Sequence, residues 1–160
     1  MHYSILTGAT NPVIRSVADP IDHFWEEIIW LARDMKLVCH EHDGVGLAAP
    51  QIGLPLRIIY TTQRKQTPKW LKYVTDQIMV NPEILMDSRT RNTDVEGCLS
   101  LPRLEWDVKR FDRIRVQFQD VHGKSITKTY KWFDARIIQH EIDHLDGILF
   151  IDKATNMRKV

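Results

Sequence analysis

Between Arg113 and Leu145 the hydrophobic period changes once, and that change restricts the fold more than any other feature. Arg113-Ile114-Arg115-Val116-Gln117-Phe118-Gln119 alternates polar and apolar residues without a break. A two-residue period belongs to a strand with one buried face. Asp120-Val121-His122-Gly123 supplies turn residues, and Ile126, Lys128 and Tyr130 carry the strand pattern onward. The spacing therefore predicts a β-hairpin. From Asp134 the period lengthens: Ile137, Ile138, Glu141/Ile142 and Leu145 mark one face of a helix. Asp134 is the expected N-cap and Gly147 the expected stop.

A second helical pattern lies near the start. After Asp19-Pro20, apolar residues recur at Ile21, Phe24, Ile28, Leu31/Ala32, Met35 and Val38/Cys39. These steps of three and four predict one amphipathic helix of about five turns. Leu56 to Tyr60 and Ile78 to Val80 read as short strands, the latter stopped by Asn81-Pro82. The order of helix, strands and helix is not a repeating βαβ pattern. It predicts an α+β fold: short antiparallel or mixed sheets around a C-terminal helix, preceded by an N-terminal amphipathic helix.

The 160 residues suit one domain over 1–160. Lys+Arg total 22 against 21 Asp+Glu, a net +1, so no global field favours nucleic acid or membrane. The polar stretch Thr61 to Gln77 carries Arg64, Lys65, Lys69 and Lys72, and reads as a surface loop rather than a nucleic-acid patch. No secretory or transit pattern opens the chain, and no apolar run is long enough for a membrane span. The expected location is a bacterial-type cytoplasm, with a mature organellar form also compatible. Two cysteines, Cys39 and Cys98, are too few for a disulfide framework and point to thiol chemistry in a reducing compartment.

The chemistry concentrates in three stretches. In Gln139-His140-Glu141-Ile142-Asp143-His144, the two histidines are four apart. A helix presents them on one face, one turn apart, where a metal can bridge them with Glu141 near its water. A catalytic site of this type wants a third protein ligand. Asp146 and Asp152 lie downstream, but Glu96-Gly97-Cys98-Leu99-Ser100 offers a better candidate in Cys98. A thiolate suits a borderline or soft ion; alone, Cys98 would read as a small buried hydrophobe. The third stretch, Gly44-Val45-Gly46-Leu47-Ala48-Ala49-Pro50-Gln51, allows close backbone approach but lacks the pattern of a phosphate loop. Alone it reads as a glycine-rich turn into a core strand. Cys39-His40-Glu41-His42-Asp43 also holds ligand types, but residues two apart do not face one another on a helix. It reads as a helix end with favourably placed histidines.

Together, in this order, the three stretches resemble the signature motifs of peptide deformylases. The resemblance extends over nearly the whole chain, from Ile5-Leu6 and Pro12-Val13-Ile14-Arg15 to Val108, Arg110, Ile114, Val116, Asp120 and Gly123. It implies removal of the N-formyl group from formylmethionyl ends of new peptides, with release of formate. It assigns Cys98, His140 and His144 as metal ligands, Glu141 as acid–base, and Gln51 with the Leu99 N–H as oxyanion donors. Fe²⁺ is implied in cells, with Zn²⁺, Ni²⁺ or Co²⁺ accommodated. Val45, Gly46 and Leu47 are expected to border the peptide, and Phe133 and Ile137 the methionine pocket, though these side chains fit plain core equally well. The implied partners are N-formylmethionyl nascent chains, met in transient proximity to the ribosome, with no specific nucleic acid and no membrane.

Two departures stand out. Some members carry a basic residue near position 105, whereas Glu105 is acidic here and Arg103 lies two residues before it. Some members have a long C-terminal helix for ribosome docking; here a short tail carries Lys153, Arg158 and Lys159. Outside the family, the rival readings are an endopeptidase built on His140-Glu141-x-x-His144 and a non-catalytic metal-stabilised module. The first lacks a downstream ligand, and the second has no use for Glu141.

Overall fold

The computed structural model describes residues 3–63 and 75–158. The basic positions Arg64, Lys65, Lys69 and Lys72, and Lys159, lie outside the described residues. The elements are α1 (Glu26–Glu41), β1 (Gly46–Ala48), β2 (Ile58–Gln63), β3 (Thr75–Asp87), β4 (Arg91–Cys98), β5 (Leu101–Phe111), β6 (Arg113–Gln119), β7 (Ser125–Lys131), α2 (Trp132–Leu145) and β8 (Ala154–Arg158). Short 3-10 turns occupy Ala49–Ile52 and Phe150–Asp152. One sheet runs β1-β2-β3-β6-β7 and a second runs β4-β5-β8. All strand pairs are antiparallel; the one parallel contact is an isolated bridge between Asp19 and Leu56. The fold is α+β.

The predicted hairpin forms as β6 and β7. Its inward residues Ile114, Val116 and Phe118 are buried, while Arg113, Arg115 and Gln117 face solvent. Burial of such a face, at roughly 25 cal/mol per Å² of apolar surface, is what fixes the register. The inward side chains pack on Ala135, Ile138, Ile142 and Leu145 of α2. Helix α1 covers another part of the large sheet, laying Ile28, Leu31, Met35 and Val38 on Leu47, Ile58, Tyr60 and Val80. A third cluster joins Ile14, Leu149 and Phe150 to Leu101 and Val108 of the small sheet. Helix α2 thus lies between the sheets, buried at every position from Ala135 to Leu145. Among the described residues, no helix is long and apolar enough to cross a membrane.

Three expectations are corrected. Helix α1 starts at Glu26, not near Ile21. Residues 19–21 are pinned in extended form: the Asp19 N–H donates to Pro55 O, Arg57 N–H donates to Asp19 O, and Ile21 N–H donates to Asn81 Oδ1. Those bonds hold the chain where a helical turn would have taken its donors. Asn81-Pro82 does not end β3, because a register shift absorbs the proline that a regular ladder would exclude. Asn81 takes φ +49 there, a conformation asparagine tolerates. Finally, Asp134 is not the N-cap. The N-cap lies three residues earlier, at Lys131, and Asp134 sits in the first turn of α2, where a carboxylate favours the helix dipole.

Candidate metal centre and substrate pocket

Helix geometry brings His140 and His144 together on one side of α2, with ring centroids 4.9 Å apart. They are 8% and 1% exposed. Cys98 ends β4 where the β4–β5 ladder breaks register between Gly97 and Cys98, and the chain turns at Leu99-Ser100. That break aims the thiol toward the helix. Its Sγ lies 3.2 Å from His144 Nε2. The ligand atoms of Cys98, His140 and His144 all lie within 4.8 Å of one another, the only such triple of His, Cys, Asp and Glu among the described residues.

The donor chemistry fits a divalent transition metal. One thiolate and two imidazoles suit a borderline or soft ion and do not suit Mg²⁺ or Ca²⁺. His140 Nδ1 donates to Glu96 Oε2 at 2.9 Å, which leaves Nε2 as the ligand atom. Glu141 Oε2 is buried with no hydrogen-bond partner. A buried carboxylate oxygen without a partner is uncommon and calls for a reason. The downstream carboxylates are otherwise engaged: Asp146 pairs with Arg57 at 2.7 Å and Asp152 with Arg15 at 2.5 Å. In the stretch from Cys39 to Asp43, His40 Nε2 meets the Tyr60 hydroxyl and His42 Nδ1 meets Val38 O, each at 2.9 Å. That stretch is the end of α1, as expected, and holds no such ligand triple.

A cavity of about 460 Å³ opens onto two of the three, Cys98 and His140. Val45, Gly46, Leu99, Phe133 and Ile137 line it together with Gln51, Cys98, His140 and Glu141. Leu47 does not; it is buried against α1 and Tyr60. Gln51 belongs to the 3-10 turn after β1. Its Oε1 accepts the Ala48 N–H at 2.8 Å, so its amide NH₂ must point the other way. That group donates to Ser100 Oγ at 3.2 Å and to Cys98 Sγ at 3.4 Å. Arg103 and Glu105 both stand on the cavity wall, on the β5 side.

The comparisons with known proteins agree with this geometry. The polypeptide deformylase family model matches residues 3–160. The chain belongs to the polypeptide deformylase family. It is a metal-dependent hydrolase that removes the N-formyl group from nascent peptides. A peptide deformylase of Desulfotalea psychrophila is 37% identical over 149 residues, covering 93% of this chain and 86% of that one. One from Bartonella quintana is 39% identical over 150 residues, covering 93% and 82%. Among solved structures, the Thermotoga maritima peptide deformylase superposes with a TM-score of 0.86 at 32% identity, covering 98% of this chain and 99% of that one. A Met-Ala-Ser-bound class I type b peptide deformylase from Acinetobacter baumannii gives 0.87 at 30% identity, covering 96% and 98%.

Behind the deformylase site lies a buried ion network that sequence reasoning missed. Arg110 Nε and Nη2 grip the two oxygens of Glu96 at 2.9 Å each, while Nη1 reaches Asp143. Arg136 Nη1 adds a bond to Glu96 Oε1 at 2.7 Å. Lys153 Nζ closes the set on Asp143 at 2.6 Å. Burial alone would raise the Glu96 carboxyl, but the Arg110 and His140 hydrogen bonds overcome it and hold Glu96 far below the usual range. Glu141 goes the opposite way: burial, reinforced by the Glu96 and Asp143 charges, pushes it up to about 7. Burial and the His140 charge drive His144 well below its ordinary value, keeping it neutral as a ligand must be. The missed signal was a charged residue at an inward position: Arg110 two after buried Val108 on β5, and Arg136 one turn before His140 on α2.

Proposed function

We propose that Cys98, His140 and His144 hold one divalent ion, Fe²⁺ in cells, and that Glu141 moves the protons of deformylation. The unpartnered, buried Glu141 Oε2 beside the ligand triple carries this reading. Zn²⁺, Ni²⁺ or Co²⁺ can take the same ligands. The bound ion supplies Lewis acidity for water and for the formyl carbonyl. Glu141 Oε2 accepts a proton from the water that attacks the formyl carbon. It then delivers that proton to the amine nitrogen as the C–N bond breaks and formate leaves. A carboxyl near 7 can both accept and donate near neutral pH. The Gln51 amide, held by Ala48 and Ser100, and the Leu99 N–H donate to the oxyanion. Losing one such donor costs about 10²–10³ in rate.

The methionine side chain sits against Phe133 and Ile137, and the peptide backbone runs along Val45 and Gly46. β1 is an edge strand, so an extended peptide can add to that side of the sheet. Leu47 supports this edge from the core rather than touching the peptide. The enzyme acts as one unit over 1–160 on N-formylmethionyl nascent chains, in a bacterial-type cytoplasm, with only passing proximity to the ribosome. The Acinetobacter structure binds Met-Ala-Ser, a peptide of the product class expected here.

The test is Glu141→Gln assayed on formyl-Met-Ala-Ser with metal measured on the same sample. One ion per chain should remain while kcat falls by about 10²–10⁴. Near-normal turnover in the metal-loaded variant would remove Glu141 from this role. In parallel, Cys98→Ala should lose its metal at neutral pH; a one-to-one content there strikes Cys98 from the ligand set.

A further inference from the structure

We propose that Arg136 is a positioning residue for the Cys-His-His group, bolting the helix that carries both histidines to the two strands that flank Cys98. The inference rests on the ligand reading above. The ligands come from two separate elements, so their spacing depends on how α2 sits against the β4–β5 hairpin. Arg136 lies one turn before His140, with its side chain 7% exposed. Its Nη1 donates to Glu96 Oε1 at 2.7 Å and to Val108 O at 2.9 Å. Its Nη2 donates to Asn92 O at 3.1 Å and to Asn92 Oδ1. One planar group thus ties α2 to β4 twice, at Asn92 and Glu96, and to β5 once, at Val108.

Pairing with Glu96 alone does not account for Arg136. Both Glu96 oxygens are already held by Arg110, and Asp143 meets Arg110 and the solvent-exposed Lys153. Arg136 pairs with Glu96, yet most of its hydrogen bonds go elsewhere. It is held by three neutral oxygens in addition to Glu96. What a guanidinium offers there is its rigid fork, whose donors span acceptors on two strands at once. An ammonium on a flexible stem has one donor atom and cannot reach all of them. The fork, not the charge, is the functional feature.

The test measures Co²⁺ affinity by chelator competition and records the absorption spectrum of the Co²⁺-loaded chain. Arg136→Lys keeps the charge and loses the fork; Arg136→Met keeps the stem alone. Both should weaken Co²⁺ binding about 10–100-fold and shift the Co²⁺ bands, because the thiolate–imidazole geometry relaxes. Wild-type affinity and bands in both variants overturn the proposal. So does a wild-type-like Arg136→Lys beside a defective Arg136→Met, since charge would then suffice. If Arg136→Met does not fold, Asn92→Ala replaces it by removing the side-chain tether alone. Weaker binding with shifted bands in Asn92→Ala supports the proposal, and wild-type behaviour overturns it. A wild-type chain that binds no Co²⁺ sinks the ligand reading itself, a distinct failure.

Discussion

Gly46 faces the Glu141 carboxylate with no room for a methyl group. A Cβ on Gly46 would overlap Glu141 Oε1 and sit 2.9 Å from Ile137 Cγ2. Gly46→Ala must therefore displace the Glu141 carboxylate, the group proposed above to move the proton. A displacement near 1 Å costs about 10² in rate. The expected result is a loss of that order in kcat/KM on formyl-Met-Ala-Ser, with bound metal unchanged. Wild-type kcat/KM would show that the carboxylate tolerates the shift. At this scale the sequence was informative about identity and silent about contact. Glycine at 46 signals close approach, but only the fold shows that the approaching group is Glu141. His140, Glu141 and His144 were legible because helical spacing is local. Gln51 was legible as a residue, but the donors and acceptors that turn its amide toward Cys98 come from Ala48 and Ser100.

Helix α2 depends on how it stops. Gly147 follows the last turn at φ +69, and a Cβ there would collide with Arg15 O and lie 3.2 Å from Ser16 O. Left-handed backbone costs a non-glycine residue about 1–2 kcal/mol before any clash is counted. Gly147→Ala should therefore destabilise by at least that amount, read as a lower urea midpoint; an unchanged midpoint would contradict it. The pairing of α2 with β4 and β5 has a pH signature. Glu96 has an ordinary value of 4.5 and is held lower in the fold. A depressed carboxyl contributes stability that is complete above the unfolded value and is lost as pH falls toward the folded one. Unfolding free energy of the metal-free chain should fall from pH 5 to pH 3.5 more steeply than in Glu96→Gln. Parallel slopes would show that Glu96 is not the group responsible. Element boundaries were the least legible part of the sequence. The start of α1 is set by bonds from residues 19–21 to Pro55, Arg57 and Asn81, and these partners are far away in the chain.

For the whole molecule, the ion and the fold are linked. The ligands come from β4 and α2, so the site exists only when the sheet and helix are packed. An ion that binds only the folded form adds about 2.7 kcal/mol at a hundred times its Kd. Chelation should therefore lower the Tm, and restoring Co²⁺ or Ni²⁺ should raise it again. Equal Tm values with and without the ion would separate the site from folding. Binding must also displace protons. Burial opposes the His140 proton, but hydrogen bonds to Cys98 and Glu96 prevail and hold it up to about 10. Metal affinity should accordingly fall as pH is lowered, with protons released on binding. A pH-independent affinity between pH 6 and 8 would contradict this.

The amino-acid sequence by itself determined the class of fold and the chemistry of the centre. Periods of two and of 3.6 are properties of neighbouring residues, so the β6–β7 hairpin, the face of α1 and the His140–His144 pair needed no tertiary information. Three motifs in one order were enough to indicate the family and, through it, Cys98. Only the tertiary structure decided which polar residues are buried together. Glu96, Arg110, Arg136 and Asp143 come from β4, β5 and α2, and a hydrophobicity pattern gives no reason to bury any of them. Their burial is stable because each meets an opposite charge or a backbone oxygen from another element, a condition that no local stretch of sequence contains.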